Sequence, residues 1–336
     1  MCGLGIRRFW QRVVGIAVLL AVCLAGGEGA SPARAEEPTT KPAAPASLLE
    51  AEQVIDLRRF PMLESSEMHH RMRSKVGYVI AKPDLAGDVQ FYRTKLTEAG
   101  WKIEKEDVNA DKHSGILSAS KGGFRLAVSI VKDPNDGKMG AFVENLGNVD
   151  AQALPHFAGA RPQPSQFNVA HYTTDGKVDA VADFLRGELT KLGWRRVGFY
   201  GGANNDEPDL HRLLMFVQRG TSLTALIDRE GEATRVMVQT SLMKYGLPIM
   251  PQATGIELME EPFVYLGYAT KAPPADVLTF YRKELPPLGW TVAADEEKGD
   301  EGAMKVKLSG PDKEALRLEV LGKEGVTFVL LAGEGM

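Results

Sequence analysis

Cysteine is almost missing from this chain: of 336 residues only Cys2 and Cys23 are cysteines, and both precede residue 25. If that leading segment is removed, no disulfide, cysteine zinc site, thiol nucleophile or iron–sulfur ligand remains. Recognisable catalytic signatures are missing too. There is no Gly-x-Ser-x-Gly, no His-Glu-x-x-His and no Walker loop. A surplus of basic charge is also lacking. Without residues 1–35 the chain keeps 36 basic against 43 acidic groups, a net −7, so nucleic acid and anionic lipid are not expected partners. The longest apolar run, Val13–Leu24, falls well short of the ~20 residues that span a bilayer.

That run does have a use. Arg7, Arg8 and Arg12 precede it, and Ala33-Arg34-Ala35 follows after a small-residue stretch. A basic start, a short apolar centre and an A-x-A site make a secretory signal peptide. Residues 1–35 are expected to be cleaved after Ala35, giving a periplasmic or extracellular protein with no stable membrane span; retention as an anchor is the alternative. Val22 stands before Cys23 where a lipoprotein signal wants a small residue, which argues against lipidation.

What the chain has in place of motifs is a repeat. Phe91, Arg93, Leu96, Gly100 and Trp101 recur as Phe184, Arg186, Leu189, Gly193 and Trp194, and again as Phe280, Arg282, Leu285, Gly289 and Trp290. On a helix the Phe, its successor, the Leu and the residue eight on share an arc of about 140°. The Arg flanks that arc, while Lys95, Glu188 and Glu284 fall inside it. Gly reads as the left-handed residue past the helix end, with Trp folding back onto the Leu. In the third copy Pro286-Pro287 disfavours helix at Leu285, which predicts a disturbed cap.

The Gly-Trp pairs are 93 and 96 residues apart, so three modules are expected: 59–155, 156–250 and 251–336. Residues 36–46 read as a disordered linker, and 47–58 as a short helix opened by a Ser47…Glu50 capping box and docked on module 1. Each module shows a strand (Val76–Ala81, Phe167–Thr173, Phe263–Thr270), the helix, then strands with period-two alternation such as Phe124, Leu126, Val128 and Ile130. The fold class is α+β: three tandem β-α-β-β-β(β) modules, each an antiparallel sheet with one helix on one face.

With those residues in hand, the succession resembles a module that recurs, singly and in tandem, in exported bacterial proteins of unassigned function. Its topology is similar to the helix-grip domains of an outer-membrane assembly lipoprotein. The resemblance implies a fold and carries no active site.

Candidate sites are sparse. His69-His70 and Glu67-x-x-His70 read as a solvated loop; His113, His156, His171 and His211 are scattered. The acidic stretches Asn204–Asp209 and Asp295–Glu301 lack EF-hand spacing and read as hairpin tips. Ser118-x-x-Lys121 and Ser241-x-x-Lys244 fall on strands, where Ser-x-x-Lys chemistry does not work. The expectation is a non-enzymatic protein without cofactor or metal, binding or scaffolding an envelope protein or polysaccharide through open sheet faces or clefts between modules. A rival is a small-molecule or polysaccharide site at module 2 formed by Phe199, Tyr200, Asn204, Asn205 and Asp206; a further alternative is an unrecognised hydrolase.

Overall fold

The computed structural model describes residues 44–109, 114–133, 137–198, 211–260, 263–299, 302–311 and 314–333, with backbone only at 65–70. A short helix, α1 (Leu48–Val54), precedes the modules. Module 1 contains β1 (Ser65–Arg71), β2 (Lys75–Ile80), α2 (Leu85–Glu98), β3 (Lys102–Asn109), β4 (Ser114–Lys121), β5 (Phe124–Lys132) and β6 (Met139–Gly147), with sheet order β1-β2-β6-β5-β4-β3. Module 2 repeats this with β7 (Arg161–Gln166), β8 (Val169–Thr174), α3 (Val178–Lys191), β9 (Arg195–Val197), β10 (His211–Gln218), β11 (Thr221–Glu230) and β12 (Ala233–Leu242), ordered β7-β8-β12-β11-β10-β9. In module 3 come β13 (Thr254–Met259), β14 (Tyr265–Thr270), α4 (Pro274–Glu284), β15 (Thr291–Val292), β16 (Glu297–Lys298), β17 (Met304–Ser309), β18 (Ala315–Lys323) and β19 (Val326–Gly333). Its order is β13-β14-β19-β18-β17-β15, and β16 pairs with β17. All pairs within the sheets are antiparallel.

This order explains the helix. The strand before it lies second from one edge and the strand after it lies at the far edge, so the helix must cross about four strand spacings, ~19 Å. The 14 residues of α2 and of α3 give about 21 Å. Helix α4 has 11 residues, about 16 Å, and the 3-10 turn Pro286–Leu288 adds about 6 Å. The proline pair therefore completes the crossing. Alternation then fills the space beneath: Leu126, Val128 and Ile130 in module 1, and Leu316, Leu318 and Val320 in module 3, are at most 2% exposed.

Four expectations are corrected. Every module has a further strand at its N-terminal edge (β1, β7, β13), and Ser65–Arg71, expected as a loop, pairs with β2. The lead-ins β1 and β7 are polar or proline-containing, which hides a strand signal because an edge strand needs neither an apolar face nor all its donors. The first helix stops at Val54, where Ile55 turns extended, and does not continue to 58. It docks on more than module 1, as described below. The third cap forms despite its prolines.

The sheets stay separate but touch. Gly198, just past β9, bridges Glu257 of β13 in parallel, with Gly198 N–H donating to Ile256 O at 2.8 Å and Leu258 N–H to Gly198 O at 3.1 Å. Val197 and Val217 join the module 3 core, and Leu242 joins that of module 1. The Arg195 guanidinium donates to the carbonyls of Ile249, Met250 and Ala253, tying module 2 to the lead-in of module 3.

Candidate functional site: the cleft where the modules meet

The helix ends locate the site. In each copy the Gly has positive φ (79°, 89° and 82° for Gly100, Gly193 and Gly289). The Trp N–H donates to the Leu carbonyl five residues back, at 2.9, 3.0 and 3.3 Å, and the Gly N–H donates to the residue three back at 2.9 Å each time. This is a Schellman closure. Trp101, Trp194 and Trp290 are each 3% exposed, over Leu96, Leu189 and Leu285 at no more than 1%. The motif arginines lie at the rim, Arg93 on Glu106, Arg186 on Asp183 and Arg282 on Glu296. Phe91, Phe184 and Phe280 are half-buried at the edge of each core. Lys95 and Glu188 resolve their place in the apolar arc by pairing with Glu98 and Lys191 at the surface.

One carbonyl at each helix end still needs a donor, and cations are favoured there. Module 1 supplies Lys121 Nζ to Ala99 O (2.7 Å), and module 2 supplies Gln218 Nε2 to Leu192 O (3.3 Å); both end the strand after the first hairpin arm. Module 3 has Gly310 at that position, with no side chain to offer. Its donor comes instead from module 1: Arg73 Nη2 donates to Leu288 O at 2.6 Å, across 215 residues of sequence. Arg73 is 9% exposed and its Nε lies 3.4 Å from Glu52 of α1. Gly289 has a second reason to be glycine, since a Cβ there would stand 2.9 Å from Arg73 Nη2.

Around this contact lies a cleft. Leu48, Met72, Tyr245, Leu288 and Trp290 make its apolar wall, with Arg73, Lys244, Pro311 and Glu314 around them. Tyr245 leans on Trp290 (centroids 5.7 Å apart), and Lys244 Nζ sits 4.8 Å from the Tyr245 ring centre. A Cβ at Gly310 would meet the Trp290 ring at 2.9 Å. The Lys244–Tyr245 backbone is fixed by the Glu260 carboxylate, which accepts from both N–H groups. Burial pushes the Glu260 carboxyl up to about 7, against the opposing pull of those donors. As it stands the cleft leaves about 20 Å³, space for roughly one water.

The interiors between helix and sheet are filled. Tyr78 and Tyr92 hydrogen-bond to each other in module 1, and Tyr281 donates to Tyr268 at 3.0 Å in module 3. Burial raises all four hydroxyls, Tyr268 to about 12. Module 2 has Leu185 on its helix, and Tyr172 packs on His156 (4.8 Å). Burial lowers the pKa of His156 and, with Arg235 nearby, of His171.

The sequence candidates do not converge here. Phe199, Tyr200, Asn204, Asn205 and Asp206 lie outside the described residues, as does His113. Ser118 and Lys121 sit three apart on β4 and so face opposite ways. Glu296 and Glu297 are spent on Arg282 and Lys307. Among the described residues, no group of three or more His, Cys, Asp or Glu side chains is placed to hold a metal. Arg73, Tyr245 and Leu48, the residues that build the cleft, carry no local motif, and only Gly310 where the other copies have Lys or Gln hinted that a donor was missing.

A family model described as START domain-like matches residues 89–138, most of α2 and the strands β3 to β5. Among curated proteins and among solved structures nothing matches. The match spans one helix laid over three antiparallel strands, and over that stretch the fold resembles the START-like one.

Proposed function

We propose that this chain is a non-enzymatic binding protein, exported and cleaved after Ala35, that takes a small amphipathic molecule at the cleft shared by α1, module 1, module 3 and the segment leading to it. One observation carries the reading: the apolar wall of Leu48, Leu288, Tyr245 and Trp290 ends at the Arg73 guanidinium. An apolar surface with a few placed polar groups is what small-molecule sites are made of. The START-like match supports a binding fold, though the spaces under the three helices are occupied by side chains. Strand addition is disfavoured, because β3 is studded with Lys and Glu and β7 carries Pro162 and Pro164. The test is a melting-curve screen of amphipathic small molecules, followed by titration of Arg73→Met; a shift that survives this variant unchanged places the ligand elsewhere.

The envelope-scaffolding reading keeps one observation of its own. Phe328 is 50% exposed on the uncovered face of the module 3 sheet, beside Leu321 and Ala269. Phe328→Ser abolishing capture of an envelope protein while leaving small-molecule binding intact would favour it.

A further inference from the structure

We infer that residues 44–54, carrying α1, form a displaceable clasp that occupies the cleft, and that the molecule replacing it is an apolar chain ending in a single carboxylate. The inference rests on the cleft being the binding site.

The clasp is seated on backbone. Leu48 is 2% exposed, and its socket is made by Gly220 and Gly246, both at positive φ (84° and 58°). A Cβ on Gly220 would lie 3.3 Å from Leu48 N, and one on Gly246 would lie 3.4 Å from Leu48 Cβ. Two glycines thus keep open a space that a single leucyl side chain fills. At the hairpin tip where module 1 has Gly122, module 2 holds Arg219 in the left-handed region (φ 50°), and Arg219 Nη2 donates to Glu50 at 2.9 and 3.1 Å. The chain accepts an unfavourable backbone there and gains a cation facing the clasp.

Ala46 and Ala51 also pack into the module 1 core, and the remaining polar attachments, with Asn148 Nδ2 donating to Ala44 O at 3.1 Å, are single hydrogen bonds. Ala46 N–H donates to Asn148 Oδ1 (2.7 Å), Thr221 Oγ1 to Ala46 O (3.4 Å), and Asn145 Nδ2 to Ala51 O (3.5 Å). Both members of the Glu50–Arg219 pair are about half exposed, so salt and solvent weaken it. Past Ile55 the chain is anchored, with Leu57 fully buried and its N–H on Arg73 O. The hinge is therefore Ile55–Asp56, where the backbone turns extended.

What leaves with the clasp states what can enter. Leu48 vacates an apolar pocket wall, and Glu52 withdraws its carboxylate from both Arg73 and Arg58, of which Arg58 keeps Asp56. Arg73 keeps Leu288 O and is left with an unmatched charge beside the vacated apolar surface. An aliphatic carboxylate supplies both missing parts.

The experiment is hydrogen exchange on the full-length chain with decanoate below its micelle concentration. Amides of 48–54 should exchange faster than those of the sheets, decanoate should speed them further, and the same decanoate should protect 72–73 and 288–290. Glu52→Gln and Leu48→Ala should each tighten decanoate about tenfold, because each removes part of the competing occupant. If decanoate protects 72–73 and 288–290 but leaves 48–54 unchanged or slower, the clasp is refuted and the cleft reading stands. If it protects neither stretch in the wild type or in Glu52→Gln, the cleft reading itself fails. Exchange of 48–54 only with global unfolding refutes the clasp without any ligand.

Discussion

Replacing Arg73 by methionine keeps the aliphatic stem and deletes the guanidinium that links module 1 to the end of α4. The Leu288 carbonyl loses a charged donor at 2.6 Å, an interaction worth about 1.5–3 kcal/mol. A cation at a part-buried helix C-terminus contributes up to ~2 kcal/mol through the same contact, so the two figures overlap and are not added. Glu52 is left with Arg58, which limits the cost of the broken ion pair. The expected loss is about 2–3 kcal/mol, or roughly 3–5 °C in Tm for a chain of this size unfolding as one unit. Urea denaturation should be compared with Lys121→Met, which deletes the equivalent donor of module 1 at an exposed site, where about 0.3–1 kcal/mol is expected. A loss for Arg73→Met no larger than for Lys121→Met would refute the reasoning, and would mean that water satisfies the third helix end as well.

Gly289→Ala should cost more than Gly100→Ala by urea denaturation, because both carry the left-handed penalty but only residue 289 has a guanidinium 2.9 Å from the new methyl, against 3.8 Å to Lys121 Nζ at residue 100. Tyr281→Phe should lose about 0.5–1.5 kcal/mol with its hydrogen bond to Tyr268, whereas Leu185→Phe in module 2 has no such bond to lose. Trp194→Ala should cost about 3–5 kcal/mol, and a Tm unchanged from wild type would remove the indole from the core. Glu260 has its folded pKa raised to about 7, so its protonation stabilises the fold fully below the ordinary carboxylate value and that contribution is lost as pH climbs through 7. Melting curves of Glu260→Gln should show a flatter decline between about pH 4.5 and 7; an identical decline would exclude this group as its source.

The unit of the fold was legible in the sequence, and so were its number and class. Three Gly-Trp pairs at near-equal spacing fix a left-handed residue and a folded-back indole, and period-two alternation at Phe124–Ile130 and Leu316–Val320 fixes which face is buried. These are short-range consequences of backbone sterics and side-chain periodicity, which act within a dozen residues. The edge strands were not legible, because β1 and β7 are polar or proline-bearing and their only requirement is a neighbour to pair with. The third cap was misjudged because Pro286-Pro287 forbids an α-helix but permits a 3-10 turn that supplies the missing length.

The cleft belongs wholly to tertiary structure. Arg73 lies 215 residues from the carbonyl it caps, and Leu48 rests on glycines at two distant turns. No local period encodes such partners, since they are chosen by which polar group the folded modules leave unsatisfied and which side chain can reach it. The sequence alone determined three like modules, each closed by its own indole; the packing of those modules decided that one helix end would be completed by another module and that a cleft would form beside it.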